Sequence, residues 1–192
     1  MKSSEFQIKE AKAIPYGGQE KSFKKTFKNG GESRSMSPFK YGYIRIRNYF
    51  LFLLAYFAPS NRIRVALNRF KGVNIADGAY IGMCVFIDNA YPEYIYIEED
   101  ASVNSGSELL AHFNPLPHWE RIFEAKVAPV VIKKRAIVAV HSVVMPGVTV
   151  GENAVVSAMS AVYENVPPNT IVRGNPAVVV QKFSEKLIKK DN

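Results

Sequence analysis

Residues 132–166 read IKKRAIVAVHSVVMPGVTVGENAVVSAMSAVYENV. Counting in sixes from Ile132 lands on Val138, Val144, Val150, Val156 and Val162. The same count runs upstream from Ile75 to Ile81 and Ile87, and from Ile97 to Val103 and Leu109. All twelve positions are Ile, Leu or Val, although those types supply only 44 of the 192 residues. Four places after each, ten of twelve residues are small or β-branched, as at Ala136, Ser142 and Val148.

A six-residue period matches neither the 3.6-residue turn of a helix nor the two-residue alternation of a half-buried strand. It predicts a triangular coil with short parallel strands on three faces and 18 residues to a turn. Successive coils then stack about 4.8 Å apart, the spacing of neighbouring strands. The aliphatic position fills the interior and the small one sits near a corner. Gly78, Gly82, Gly147 and Gly151 suit tight corners. The fold class expected is all-β.

Composition is that of an ordinary globular chain, with 47% apolar and 22% charged residues. Cys84 is the only cysteine, so no intramolecular disulfide forms. It lies within a repeat strand and reads as a small core residue rather than a nucleophile. The longest apolar run, Tyr49 to Pro59, is far shorter than the roughly 20 residues a membrane-spanning helix needs. Met1 to Glu10 is polar and unlike a secretory signal. A cytoplasmic location is expected, with contact to the inner face of a membrane through the basic N-terminal segment. Residues 1–72 hold 15 Lys/Arg against 4 Glu, and the remainder is net acidic. Such an arm suits anionic partners, acidic lipid above nucleic acid, since no RNA-binding motif accompanies it.

Four segments are expected: a basic, partly disordered arm over 1–40, a helical cap over 41–72, the coil over 73–177, and a C-terminal helix or tail over 178–192. Helices in 41–72 break at Pro59, with Ser60 or Asn61 as the second cap. That segment covers the open end of the coil, as solenoids require, or lies as a basic amphipathic element on a membrane. The repeat breaks twice. Between Ile87 and Ile97 the step is ten, so residues around Asn89 to Tyr94 bulge out. Between Leu109 and Ile132 it lengthens to 23, so 113–129 leaves the coil as an external loop.

The stretch Ala136 to Ala177, AIVAVHSVVMPGVTVGENAVVSAMSAVYENVPPNTIVRGNPA, resembles the hexapeptide-repeat acyltransferases, most closely the galactoside, maltose and polysaccharide-biosynthesis O-acetyltransferases. The resemblance implies a left-handed parallel β-helix, an exception to the usual crossover hand. It also implies acetyl-CoA as acyl donor, a sugar or glycan acceptor and a homotrimer with sites between subunits.

Acyl transfer to a hydroxyl needs a base, and histidine, with an unperturbed pKa of about 6.5, serves near neutrality. His112 stands where the loop leaves the coil, the place at which the family carries its catalytic histidine. The resemblance assigns Asp88, Glu93, Asn104, His118 and Trp119 to the acceptor. It assigns Ala139, His141, Ser142, Ser157 and Ala158 to the donor groove, with Arg173 and Lys182 toward the coenzyme phosphates. A backbone N–H at Ala139 or Ser142 is the expected oxyanion donor. The order of the three histidines does not match a three-histidine zinc site, and no metal is expected. Relatives read WIGA and GAGS where this chain has IVAV and SAMS, and Met159 adds bulk to a narrow groove. Two alternatives stay open: N-acetylation of an amino sugar or amino acid, and a non-catalytic scaffold whose basic arm is the working part.

Overall fold

The computed structural model describes residues 1–13, 24–25, 34–35, 38–115, 119, 122 and 125–184. The aliphatic repeat folds into three parallel ladders. One face holds β4 (Asn74–Ile75), β7 (Ile95–Ile97), β12 (Val130–Ile132) and β15 (Thr149–Val150). The second holds β5 (Tyr80–Ile81), β8 (Ser102–Val103), β13 (Ile137–Val138), β16 (Val155–Val156) and β18 (Thr170–Gly174). The third holds β6 (Phe86–Ile87), β9 (Glu108–Leu109), β14 (Val143–Val144) and β17 (Ala161–Val162). In the uninterrupted part, Ile132 pairs with Val150, Val138 with Val156 and Val144 with Val162, each 18 residues on. All twelve aliphatic positions are at most 2% exposed.

Gly78 and Gly147 take positive φ at turns as expected, and glycine shares the corners with other residue types. Cys84, Asp100, Arg135, His141, Asn153, Met159 and Asn169 all take the left-handed conformation at turns. Two glycines are required by crowding instead. A Cβ on Gly82 would lie 2.4 Å from the Ser105 nitrogen, and one on Gly151 would lie 2.5 Å from the Pro168 nitrogen.

Both breaks in the count are accommodated outside the ladders. The first is taken up by a 3-10 turn at Pro92–Tyr94. In the second, β10 (His112–Phe113) pairs antiparallel with β11 (Lys126–Val127), so a two-stranded stem carries the long excursion. β1 (Lys12–Ala13) adds to the other side of β11. The first residues of the arm lie along the coil. Ser3 donates through its amide and hydroxyl to the Glu99 carboxylate, and the Tyr96 hydroxyl donates to the Gln7 carbonyl at 3.0 Å. The disorder expected of the arm thus does not apply to residues 1–13; β2 (Lys24–Lys25) and β3 (Arg34–Ser35) form a short antiparallel pair, and most of 14–37 lies outside the described residues. At the other terminus, β19 (Ala177–Lys182) turns back antiparallel on β18. The expected helix is therefore a strand over 177–182, because the edge of β18 offers a ladder to pair with; residues 185–192 lie outside the described residues.

Helices α1 (Pro38–Phe57) and α2 (Asn61–Lys71) flank Pro59. α2 starts at Ser60 without a side-chain cap bond and ends at Gly72 in the left-handed conformation that terminates helices. It closes the first coil. In each coil the amides donate onward, as Gly82 does to the Val103 carbonyl, so the first coil's carbonyls point where no coil exists. Three cations of α2 meet them: Arg69 Nε donates to the Ile75 carbonyl at 3.0 Å, Arg64 Nε to Ile81 at 2.7 Å and Lys71 Nζ to Ile87 at 2.8 Å. Asn61 adds a bond to the Ala79 carbonyl. Part of the basic character of this segment is thus spent on backbone satisfaction rather than on an anionic partner.

Gly151→Ala should cost about 1–3 kcal/mol in denaturant unfolding, since backbone atoms cannot yield to the added methyl. Gly42→Ala, in α1 with nothing within 4 Å of the added Cβ, should be neutral or stabilise by up to about 1 kcal/mol.

Candidate active site

Asp88 follows β6 and His112 begins β10, so one coil step places both at the same corner. The Asp88 side chain is only 1% exposed, yet four donors reach it. Oδ1 accepts the amides of Ala90 at 2.8 Å and Tyr91 at 3.0 Å, and Oδ2 accepts the amide of Ala111 at 2.9 Å. His112 Nδ1 completes the set at 2.5 Å from Oδ2. Burial works against the carboxylate's charge, but the bond and charge of His112, with the Tyr91 and Ala111 amides, hold its pKa below the ordinary value. An ionised carboxylate only accepts, so Nδ1 of His112 carries a proton, and in the neutral ring the lone pair is on Nε2. His112 is 35% exposed, and the Tyr91 ring packs against it with centroids 5.3 Å apart.

His112 and Asp88 open into a cleft of about 290 Å³. Phe86, Asn89 and Ala90 line it from the coil, and Arg45 and Tyr49 from α1. These α1 residues, with Tyr91, were not singled out by the sequence. The signal available was the position of the helical segment over the first coil, which holds Asp88. Behind the cleft, Asn48 is buried and donates to the Asn89 carbonyl at 3.3 Å. Buried Lys71 donates to the Ile87 carbonyl and, at 3.1 Å, to Asn89 Oδ1. Burial lowers its pKa to about 7, against the opposing pull of Asp88.

The other expected site residues are scattered. Glu93 is half-buried in the 3-10 turn after Asp88. Trp119 is exposed in the external loop, and His118 lies outside the described residues. Asn104 stands at a different corner, donating to the Val138 carbonyl at 3.1 Å, so it does not join His112 in this chain. That corner also carries Ala139, His141, Ser142, Ser157 and Ala158, between the second and third faces. Ser142 is fully buried and gives its hydroxyl to the Ser157 carbonyl, so it faces the core rather than a groove. The proposed oxyanion donors are already engaged: the Ala139 amide bonds the Val156 carbonyl, and the Ser142 amide bonds Ser107 Oγ. The ladder that builds the coil consumes the first amide and a neighbouring serine hydroxyl the second. Met159 points outward at this corner, 78% exposed. Arg173 and Lys182 are exposed on the terminal hairpin. Among the described residues, no group of three His, Cys, Asp or Glu side chains is placed to hold a metal ion.

The fold is that of the hexapeptide-repeat acetyltransferases. The chain superposes on one of these from Vibrio cholerae, VCA0836, with a TM-score of 0.63 and 24% identity over 74% of this chain and 92% of that one. A second crystal structure of VCA0836 holds acetyl coenzyme A. Galactoside acetyltransferase in complex with coenzyme A matches with a TM-score of 0.56 and 19% identity, over 76% of this chain and 83% of that one. In sequence, the chain is 40% identical over 68 residues to WcaF of Escherichia coli, a candidate colanic acid biosynthesis acetyltransferase. That match spans 35% of this chain and 37% of the length of WcaF. No family model matches. The resemblance read from the repeat is borne out: relatives and structural neighbours are acetyltransferases.

Lys71 gives a pH test of the cleft floor. Between about pH 7 and 10.5 the unfolded chain keeps a proton that folded Lys71 has released, so this residue makes stability rise with pH in that window. The unfolding free energy of the wild type should therefore rise relative to Lys71→Met between pH 7 and 10, measured by urea titration at each pH.

Proposed function

We propose that the chain is an acetyl-CoA-dependent O-acetyltransferase acting on a sugar hydroxyl in capsular, exopolysaccharide or lipopolysaccharide assembly. The observation that carries this reading is the His112–Asp88 pair at the mouth of the cleft. Nε2 of His112 takes the acceptor hydroxyl's proton. Asp88 fixes the ring by holding Nδ1–H and stabilises the imidazolium that forms. Asn89, Arg45 and Tyr49 offer hydrogen bonds and an aromatic face to the acceptor, a combination suited to a polar glycan. Acetyl-CoA, when bound, supplies the acyl group as a thioester. The edge carrying Ala139, His141, Ser157 and Ala158 would hold its extended arm, since small or outward-turned side chains leave the backbone approachable there. The name of WcaF and the fold shared with galactoside acetyltransferase support a glycan acceptor.

The donor edge and the His112 corner lie on different edges of one prism. A homotrimer packed around parallel axes sets the donor edge of one copy beside the His112 corner of the next, and this incompleteness of the single chain supports the trimer. The left hand of the coil and a cytoplasmic location belong to the same reading; among the described residues, no helix is long and apolar enough to cross a membrane.

His112→Ala should lower kcat by about 10²–10⁴-fold with a glycan acceptor, while calorimetry finds acetyl-CoA binding unchanged. Absence of acetyl-CoA binding by the wild type at millimolar concentration would remove the transferase reading and leave a scaffold.

A further inference from the structure

α1 has two opposite faces. Asn48, Leu51 and Ala55 are buried against the coil, and Phe52 packs edge-on against Phe86 at 5.5 Å. The reverse face carries Phe39, Tyr43, Ile46, Phe50, Leu54 and Phe57, spaced by three or four residues into one stripe. All six are exposed, Phe39 to 91%. α2 extends the surface with Ile63 and Phe70, the latter 67% exposed. Folded soluble monomers rarely leave so long an apolar stripe uncovered.

The charges around the stripe have one sign. From residue 33 to residue 76 there are eight Lys/Arg and no Asp or Glu. Arg64, Arg69 and Lys71 are used to close the coil. Lys40, Arg45 and Arg62 remain exposed, and Arg47 lies over the Phe70 ring at 5.7 Å. Two copies meeting across this stripe would set like charges against one another. Residues 14–37 carry five Lys/Arg against two Glu, so they offer these cations no complement either. An anionic lipid surface satisfies both features, taking the apolar side chains into its headgroup boundary while the flanking cations meet phosphates.

We propose that the outer face of α1 and α2 docks the protein on an anionic phospholipid bilayer. The cleft opens beside Arg45 and Tyr49 of the same helix, so docking holds His112 close to the lipid surface. On the transferase reading, the acceptor hydroxyl then belongs to a membrane-anchored glycan rather than to a free sugar. The docking itself stands on the surface alone.

Co-sedimentation of the full chain with vesicles tests it. Vesicles of phosphatidylcholine mixed with phosphatidylglycerol should bind the protein at least about tenfold more tightly than phosphatidylcholine alone, since each cation near an anionic leaflet contributes roughly a fivefold gain. The triple variant Ile46→Ser, Phe50→Ser, Leu54→Ser should lose about tenfold or more of that binding while keeping the wild-type melting temperature. Lys40→Glu with Arg62→Glu should do the same without touching the apolar stripe, which keeps the test decisive if the triple variant misfolds. Wild-type protein remaining in the supernatant with anionic vesicles, or variants binding as the wild type does, overturns the proposal. So does an oligomer in sedimentation velocity that the triple variant dissociates while the wild type ignores vesicles, because the stripe's occupant is then a second copy. No acyl donor enters the assay, so an inactive protein that still binds vesicles removes the transferase reading and leaves the docking intact.

Discussion

A parallel coil begins with a row of carbonyls that no earlier strand can satisfy, and leaving even a few of them dry costs more than a typical hydrogen bond returns. Arg69, Arg64 and Lys71 answer that deficit at Ile75, Ile81 and Ile87, one on each face of the prism. Their long side chains reach from a single helix to three separate strands. α2 is thereby fixed across the end of the coil. Its neighbour α1 is fixed in turn, with Phe52 against Phe86 and the buried amide of Asn48 on Asn89.

The cleft inherits its shape from this closure. Asp88 stands one residue beyond Ile87, whose carbonyl Lys71 holds, and Asn89 is held by Lys71 and Asn48 together. The Asp88 carboxylate organises the turn that follows, gathering the amides of Ala90, Tyr91 and Ala111 before it meets His112. Structural and chemical demands thus fall on one side chain. The burial that would raise its pKa is outweighed by the donors around it, and the charge so retained orients the histidine.

The ladders were legible because interior positions of a narrow prism accept only aliphatic side chains, and the spacing of Ile132 to Val162 records that directly. His112 and Asp88 were each picked out through the resemblance, but Asp88 was read as an acceptor-binding group; that it is buried and holds His112 Nδ1 depends on how the two corners pack. Arg45 and Tyr49 were not legible, since their place in the cleft depends on how α1 packs, and a run as apolar as Tyr49 to Phe57 does not disclose which face turns inward. Ser142 and the Ala139 amide were assigned to a ligand by the resemblance, which carries over positions but not which donors the fold has already taken. The terminal strand at Ala177–Lys182 carries three consecutive valines, a strand signal that the lysines farther along the tail obscured, and its partner is the open edge of β18.

Closure of the first coil has a bearing on assembly. Exposed strand ends are templates that other chains extend, and a prism of identical cross-section at both ends would be a monomer unit for end-to-end polymerisation. The cations of α2 occupy the acceptors that such growth would use, while the reversed strand β19 breaks the parallel register at the far end. The first end of the coil is terminated on all three faces and the far end on the face of β18, much as a chain-growth polymer is capped to limit its length.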